Sequence, residues 1–251
     1  MKKSSKLSKS QFDEIIKQNL IDSGISEQTF TYAIKGRTYP DYYTECEFKK
    51  FVSEMKINYT NHYIKFKGND NAKENKGGAG GELEIKKGRY GLMPPKMASV
   101  ASSSRFCYIA LRDGVDCLCE KNTGMKNQVE FEKECRIFDD GLHAPQLDAY
   151  IPNEEYNVYI EAKCHEIFDS HKAEFKNKYR PCFDSNDISY EQALVSDDGE
   201  TFELSLDLFG IADKKTIRFD IKQFVCHLLG IAKQNKGAKS KLVYLFFKPT
   251  L

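Results

Sequence analysis

The amino-acid sequence predicts an α/β fold, in which a mixed central sheet is flanked by helices. In the second half of the chain, helical and extended segments follow one another in the order helix, strand, strand, helix, strand. The run Leu242 to Phe247 is apolar throughout and fits a buried central strand. Asp220 to Gln234 combines a capping residue with an apolar helical face. These three features together favour the α/β class.

The first third of the chain predicts two helices, one strand and a loop. Ser10 can cap a helix that runs to Leu20, and Glu45 to Met55 repeats apolar residues at helical spacing. Ile57 to Phe66 predicts a strand, and residues 68–81 predict a loop rich in glycine, asparagine and lysine. The glycines of this loop do not complete a P-loop, because Glu82 stands where that motif requires Gly-Lys-Ser/Thr.

The elements after residue 96 are predicted with two alternatives left open. Met97 to Leu111 is compatible with a buried helix or a pair of strands, and Val129 to Phe138 with a helix or a strand. The remaining predicted elements are strands over Leu147–Ile151, Asn157–Lys163, Phe202–Phe209, Thr216–Phe219 and Leu242–Phe247, and helices over His165–Tyr179 and Asp220–Gln234.

Composition argues against several classes of protein. No apolar run approaches the length of a membrane span, and no apolar stretch follows the lysines of residues 1–10, as a signal peptide requires. The eight cysteines are scattered in a chain too large to need disulfides. Cys117 and Cys119 form an isolated pair, whereas structural zinc takes four ligands. We therefore expect a cytoplasmic protein with reduced thiols.

The residues that carry chemistry are Asp148 and, further along, Glu161-Ala162-Lys163. Side chains alternate across a strand, so Glu161 and Lys163 are predicted on one face, and a hairpin after Ile151 can bring Asp148 beside them. Two adjacent carboxylates repel each other unless a cation neutralises them. Carboxylate oxygens suit Mg²⁺, with Mn²⁺ as a substitute, and the backbone carbonyl of Ala162 is a further candidate ligand. Lys163 would orient the attacking water and stabilise charge in the transition state.

This arrangement resembles the PD-(D/E)XK nuclease superfamily, with Pro145 preceding the aspartate. The run from Pro95 to Arg105 also resembles a segment of a bacterial restriction-endonuclease-like family within that superfamily. The resemblance covers roughly residues 77–248. In the family name proline and aspartate are adjacent, whereas Gln146 and Leu147 separate them here.

The resemblance implies a fold, further site residues and an activity. The expected fold is a restriction-endonuclease-like core over residues 126–251, with an N-terminal, partly helical region over residues 1–125 that helps to bind DNA. Members often place a glutamate on the element before the aspartate, which points to Glu132 or Glu134, and we favour Glu134. Many also place a glutamine on a later helix, a role that Gln223 fits, with His227 on the same helical face.

The implied activity is Mg²⁺-dependent hydrolysis of double-stranded DNA that leaves a 5′-phosphate, as in a type II restriction enzyme, with a homodimer as one possible arrangement. Residues 61–105 hold nine Lys or Arg against four acids, and residues 127–161 hold nine acids against two basic residues. A nuclease needs such a division between phosphate-binding and metal-binding segments. The alternatives are a repair or mobile-element nuclease, a DNA-binding module with a degenerate motif, and a non-enzymatic globular protein.

Overall fold

The fold was analysed in a computed structural model. It describes residues 8–67, 82–113, 129–139, 144–152, 156–164, 173–185, 191, 194–204, 220–235 and 238–247. The chain divides into two compact units, each assembled from separate stretches of sequence. Unit 1 comprises residues 1–133, 147–165 and 241–251, and unit 2 comprises residues 134–146 and 166–240. This division differs from the predicted one at residue 125, because the strand pair that carries Asp148 and Lys163 belongs to the same unit as the N-terminal elements.

Unit 1 contains four helices, two small hairpins and a four-stranded sheet among its described residues. The helices are α1 (Lys9–Asp22), α2 (Glu45–Asn58), α3 (Thr60–Lys67) and α4 (Ser103–Leu111). The hairpins are β1 (Phe30–Ile34) with β2 (Arg37–Tyr43), and β3 (Lys86–Gly88) with β4 (Gly91–Met93). The sheet is formed by β5 (Glu130–Glu134), β6 (Gln146–Ile151), β7 (Asn157–Lys163) and β11 (Ser240–Phe246), in the order β11-β7-β6-β5.

The core of unit 1 lies where the helices pack against this sheet. Phe131 of β5 is fully buried, and its ring contacts those of Phe66 on α3 and Tyr108 on α4, with centroids 5.3 and 5.4 Å apart. Strand β7 is buried from Val158 to Ala162, as expected for a strand covered on both faces. The helix α4 packs directly against β7. The strand that carries the Glu-x-Lys motif is therefore fixed by this helix and by its two neighbouring strands in the sheet.

Unit 2 has its own core. The antiparallel strands β8 (Glu174–Lys176), β9 (Leu194–Asp197) and β10 (Thr201–Leu204) form a sheet in the order β8-β10-β9. The helices α5 (Arg180–Asp184) and α6 (Ile221–Gln234) complete the described elements. Their buried side chains form one apolar cluster that includes Phe175, Phe202, Ile221, Val225 and Leu229.

Local signals explain the helix ends. The Thr44 hydroxyl accepts a hydrogen bond from the Glu47 amide and caps α2, and the Asp220 carboxylate caps α6 through the Gln223 amide. The predicted helices at these two places are confirmed. The first helix is also confirmed, but its cap is Ser8 rather than Ser10, because Ser8 and Gln11 form a reciprocal capping box.

Four predicted segments need revision or a choice between alternatives. The strand predicted over Ile57–Phe66 is wrong, because this segment is the end of α2 followed by α3. The open segments resolve as the helix α4 within Met97–Leu111 and the strand β5 within Val129–Phe138. The apolar run Leu242–Phe247 is a strand, but it lies at one end of the described sheet and is only half-buried, not central.

In unit 2, the predicted helix over His165–Tyr179 is wrong where the structure describes it, since residues 174–176 form β8 and residues 177–179 a 3₁₀ turn. The extended segment predicted over Phe202–Phe209 is confirmed up to Leu204, and Thr216–Phe219 lies outside the described residues. Among the described residues, no helix combines the length and apolar character needed to cross a membrane. The coarser prediction holds, because the protein is mixed α/β with a mixed-orientation sheet.

Candidate functional site: a buried carboxylate cluster

The antiparallel pairing of β6 and β7 positions the motif. Ala149 pairs with Ile160, and Ile151 with Val158. This register brings Asp148 next to the Glu161–Lys163 segment of the neighbouring strand. The backbone N–H of Ala162 donates a hydrogen bond of 2.7 Å to Oδ2 of Asp148. The Asp148 side chain is therefore fixed against the backbone of β7.

Glu161 and Lys163 lie on one face of β7 and form an ion pair. The Nζ of Lys163 donates to Oε1 of Glu161 at 2.6 Å. The Glu161 residue is only 4% exposed, and the Lys163 side chain only 13% exposed. Burial makes this pair different from an ordinary surface ion pair, because both charges have lost most of their hydration and depend on nearby charges for compensation.

Glu132 of β5 joins this group. It is 7% exposed, and its pKa is raised well above the usual range for a glutamate. The main cause is desolvation, followed by repulsion from Asp148 and Glu82, with Lys96 acting in the opposite direction. Its backbone has φ +54°, in the left-handed region that a non-glycine residue rarely adopts. Glu132 is thus held in the cluster against both electrostatic and backbone cost.

Glu82 is a fourth carboxylate that the sequence did not indicate. It is 2% exposed, and its Oε1 accepts a hydrogen bond of 3.2 Å from Nζ of Lys96. Its Oε2 is buried without a hydrogen-bond partner. The Glu82 carbonyl also accepts from the Met97 amide at 2.9 Å, which fixes the two segments together. The sequence around Glu82 shows no periodic pattern that would indicate a functional residue. Its only use there is to show that the glycine-rich loop is not a P-loop.

The helix α4 places a thiol beside the same cluster. Burial raises the pKa of the Cys107 thiol well above its ordinary value, and Asp148, Glu132 and Glu161 add to that rise. Cys107 is fully buried, so it is held as a neutral thiol and acts as packing rather than as a nucleophile. The influence of all three carboxylates on its pKa is consistent with their position near this thiol.

The main property of this site is that several carboxylate side chains are buried close together. Among the described residues, the buried polar or charged residues are Glu82, Glu132, Glu161 and His227, so three of the four belong to this cluster. A soluble protein avoids burying several carboxylates together unless a bound cation or a reaction requires it.

The other predicted site residues occupy different surroundings. Glu134 belongs to unit 2, and its carboxylate accepts a hydrogen bond of 2.8 Å from Arg136. Of the two upstream glutamates, Glu132 is the one that lies near Asp148 and Glu161, and a catalytic role for either glutamate stays a prediction.

Gln223 and His227 lie on α6 in unit 2. The backbone N–H of Gln223 donates to the capping Asp220 carboxylate, and His227 is buried. A role for Gln223 in the site stays a prediction. The Cys117–Cys119 pair and the glycines of residues 77–81 lie outside the described residues.

The donor atoms fit a hard cation, although no complete cage is formed. Within the described part of the chain, no three His, Cys, Asp or Glu side chains are arranged to hold a metal ion. Mg²⁺ commonly takes only one or two carboxylates and completes its shell with water and substrate phosphate. Asp148 and Glu161 supply these two carboxylates, with Glu132 nearby. The predicted ligand at Ala162 was its carbonyl, whereas the contact seen here is made by its N–H.

Comparisons of the chain with known protein-family models, with curated proteins and with solved structures give no match.

Proposed function

We propose that this protein is a Mg²⁺-dependent endonuclease that hydrolyses phosphodiester bonds of double-stranded DNA, in the manner of a restriction enzyme. The observation that carries the proposal is the meeting of Asp148, Glu161 and Lys163 on two adjacent strands, with Glu132 and Glu82 buried around them. Buried carboxylates next to one ammonium group are suited to a reaction on a phosphate bound through a metal ion.

The chain's own residues have distinct roles in this proposal. Asp148 and Glu161 hold Mg²⁺, which supplies charge neutralisation and a more acidic bound water. Lys163 orients the attacking water and stabilises negative charge that develops on the phosphate. The Ala162 N–H keeps the Asp148 carboxylate at a fixed position through its 2.7 Å hydrogen bond. Glu132 holds or releases a proton beside this centre as the surrounding charge changes.

The ion pair between Lys163 and Glu161 has a consequence for the order of events. While Glu161 accepts from Lys163, part of its charge is already compensated. With substrate and metal bound, Glu161 would pair with the cation and Lys163 with the phosphate, so each partner would be released from the ion pair seen here. Substrate and metal are then expected to bind cooperatively.

The decisive experiment is a cleavage assay on supercoiled plasmid with and without Mg²⁺. Lys163→Ala should lower the cleavage rate at least about a hundred-fold, because it removes a charge that acts in the transition state. Duplex binding should be retained. The matched control is Lys133→Ala, which removes a partly exposed lysine of the same sheet that pairs with Glu130, and it should cut at the wild-type rate.

Two outcomes would contradict the proposal. If the wild-type protein leaves the plasmid intact with both Mg²⁺ and Mn²⁺, it is not a metal-dependent nuclease under these conditions. If Lys163→Ala and Lys133→Ala cut alike, the activity does not arise at this site. Binding of duplex DNA without any cleavage would instead favour a DNA-binding module with a degenerate nuclease motif.

A further inference from the structure

Two hairpins of unit 1 lie side by side. The β1–β2 hairpin turns through Lys35 and Gly36, and the β3–β4 hairpin turns through Arg89 and Tyr90. We call the residues of these four strands and their turns, 30–43 and 86–93, the twin-hairpin surface.

Specific contacts join the two hairpins. The Arg37 guanidinium donates to the carbonyl of Tyr90, and the Tyr39 hydroxyl donates to the carbonyl of Leu92 at 2.6 Å. Gly91 has φ +118°, and a Cβ at this position would come within 3.0 Å of Nη1 of Arg37. Glycine is required at position 91 by this φ, which other residues rarely adopt, and a side chain there would also crowd the Arg37 guanidinium.

The twin-hairpin surface is strongly basic. It carries five cationic side chains and one acidic side chain, Asp41; the cations are Lys35, Arg37, Lys86, Lys87 and Arg89. All five cations are exposed. Within the described part of the chain, Lys35, Arg37, Lys87 and Arg89 form no ion pair within 4 Å. Among the described residues, no acidic side chain neutralises the charge of these four cations.

Lys35 has an unusual backbone conformation, and Tyr90 is exposed to solvent. Lys35 has φ +45° and Gly36 has φ +79°, a turn in which asparagine or aspartate normally precedes glycine. Tyr90 is 73% exposed, with the Arg89 guanidinium 5.6 Å from its ring centroid. Both side chains are exposed at the turns of the two hairpins, next to the basic side chains.

The β3–β4 hairpin extends directly from the carboxylate cluster. Glu82 precedes β3 and Lys96 follows β4, and their ion pair, together with the hydrogen bond from the Met97 amide to the Glu82 carbonyl, closes the base of the hairpin. One continuous segment thus contributes a buried carboxylate at its base and basic side chains at its tip. A polyanion on the basic tip would lie in the same unit as the acidic site.

We propose that the twin-hairpin surface binds the phosphate backbone of duplex DNA and positions it for the carboxylate cluster. This rests on the proposed function for the identity of the polyanion. Arginine, lysine and tyrosine side chains are the groups that usually contact phosphate oxygens, and such contacts fix register without reading sequence. The five cations therefore supply affinity and position, not recognition of a particular base sequence.

Fluorescence anisotropy with a labelled 30-base-pair duplex, in EDTA and over a series of NaCl concentrations, tests this surface apart from catalysis. Lys87→Ala/Arg89→Ala should weaken binding about ten-fold to a hundred-fold and reduce the slope of log K against log salt by roughly two. Gly91→Ala, which leaves the charge unchanged but disturbs the Arg37–Tyr90 contact, should also weaken binding.

The matched control is Lys49→Ala/Lys50→Ala, which removes the same formal charge from α2, where both lysines pair with neighbouring glutamates. Circular dichroism establishes that each variant is folded. If the hairpin variant keeps the wild-type affinity and slope, or if the control is equally weakened, the proposal is wrong. A hairpin variant that loses binding while the wild type never cleaves would overturn the nuclease function alone.

Discussion

At the scale of single residues, Glu132 shows most directly that the site lowers the stability of the folded protein. Its carboxyl is desolvated and lies near other carboxylates, so its charged form is disfavoured in the native state. Its left-handed backbone adds about 1–3 kcal/mol of strain, by analogy with other such residues. A residue chosen for stability would have neither property.

Glu132→Gln should stabilise the protein at neutral pH while it lowers cleavage. The pKa of Glu132 is raised in the folded state, so its contribution to stability is full below its ordinary value of 4.5 and is lost as pH rises through the folded value. The variant should therefore show a flatter dependence of unfolding free energy on pH above about 4.5. Urea unfolding across a pH series measures this difference.

Glu130→Gln is the control for that series. Glu130 lies two residues away on β5, where it is partly exposed and pairs with Lys133 at 2.9 Å. Its removal should leave the pH dependence close to that of the wild type. If the Glu132 and Glu130 variants change the pH profile equally, the raised pKa of Glu132 does not contribute to stability in the way described.

The residues of the site differ in how far the sequence could identify them. Asp148, Glu161 and Lys163 follow from strand alternation and one hairpin, which are local rules that the structure obeys. Glu82 lies near Glu132 and is held there by a tertiary contact with Lys96, fourteen residues further along the chain. No local pattern encodes such a contact, so sequence reasoning has no means of finding it.

At the scale of elements, helix α6 contains a glycine whose place is set by packing. Gly230 lies inside the helix, where glycine costs about 1 kcal/mol relative to alanine. A Cβ at this position would overlap the carbonyl oxygen of Cys135 and come within 2.9 Å of its Cβ. Close approach of the helix to that backbone segment explains why the glycine is tolerated.

Gly230→Ala should accordingly destabilise unit 2, despite its better helix propensity. The overlap is with backbone, which cannot move aside without distortion, so we expect a loss of about 1–3 kcal/mol. This corresponds to roughly 2–4 °C of melting temperature per kcal/mol for a chain of this size. Thermal unfolding followed by circular dichroism measures it. Leu228→Ala, at an exposed position of the same helix, should have the smaller effect, and a variant at Gly230 that melts above the wild type would contradict this account.

The elements also show which segments can be assigned from sequence patterns and which cannot. Asp220–Gln234 was predictable because its cap and apolar face agree. Ile57–Phe66 was not, because its helical form depends on Phe66 packing against Phe131 and Tyr108 in the core. Tertiary contacts therefore decide the state of a segment whose local preference is weak.

At the scale of the whole molecule, the two compact units do not follow the order of the chain. The sheet that carries the motif depends on residues before and after it, since Phe131 packs against Phe66 and Tyr108. The site is likewise assembled from distant parts of the sequence. Glu82 and Lys96 come from the first half, and Asp148 and Lys163 come from the second. A nuclease core confined to residues 126–251 would lack part of both.

A polypeptide of residues 126–251 alone should consequently fail to form a cooperative fold around the motif. The apolar side chains of β5 to β7 would lose the helices α2 to α4 that cover them. We expect strong binding of a hydrophobic dye, a broad thermal transition and no plasmid cleavage. A sharp transition and Mg²⁺-dependent cutting by this fragment would show that the N-terminal elements are accessory, as the sequence first indicated.

The division of the chain also bears on how such a protein can change during evolution. The backbone passes between the two units after residues 133, 146, 165 and 240. Unit 1 includes stretches from both ends of the sequence, so a single crossover between two related genes splits it, whereas unit 2 is also split when the crossover falls within residues 134–240. Exchange of a whole unit requires several simultaneous breakpoints, which are rare, whereas point substitutions and short insertions at the exposed turns leave both units intact. New substrate preferences in this architecture are expected to arise through local changes at positions such as the twin-hairpin turns, rather than through the shuffling of domains.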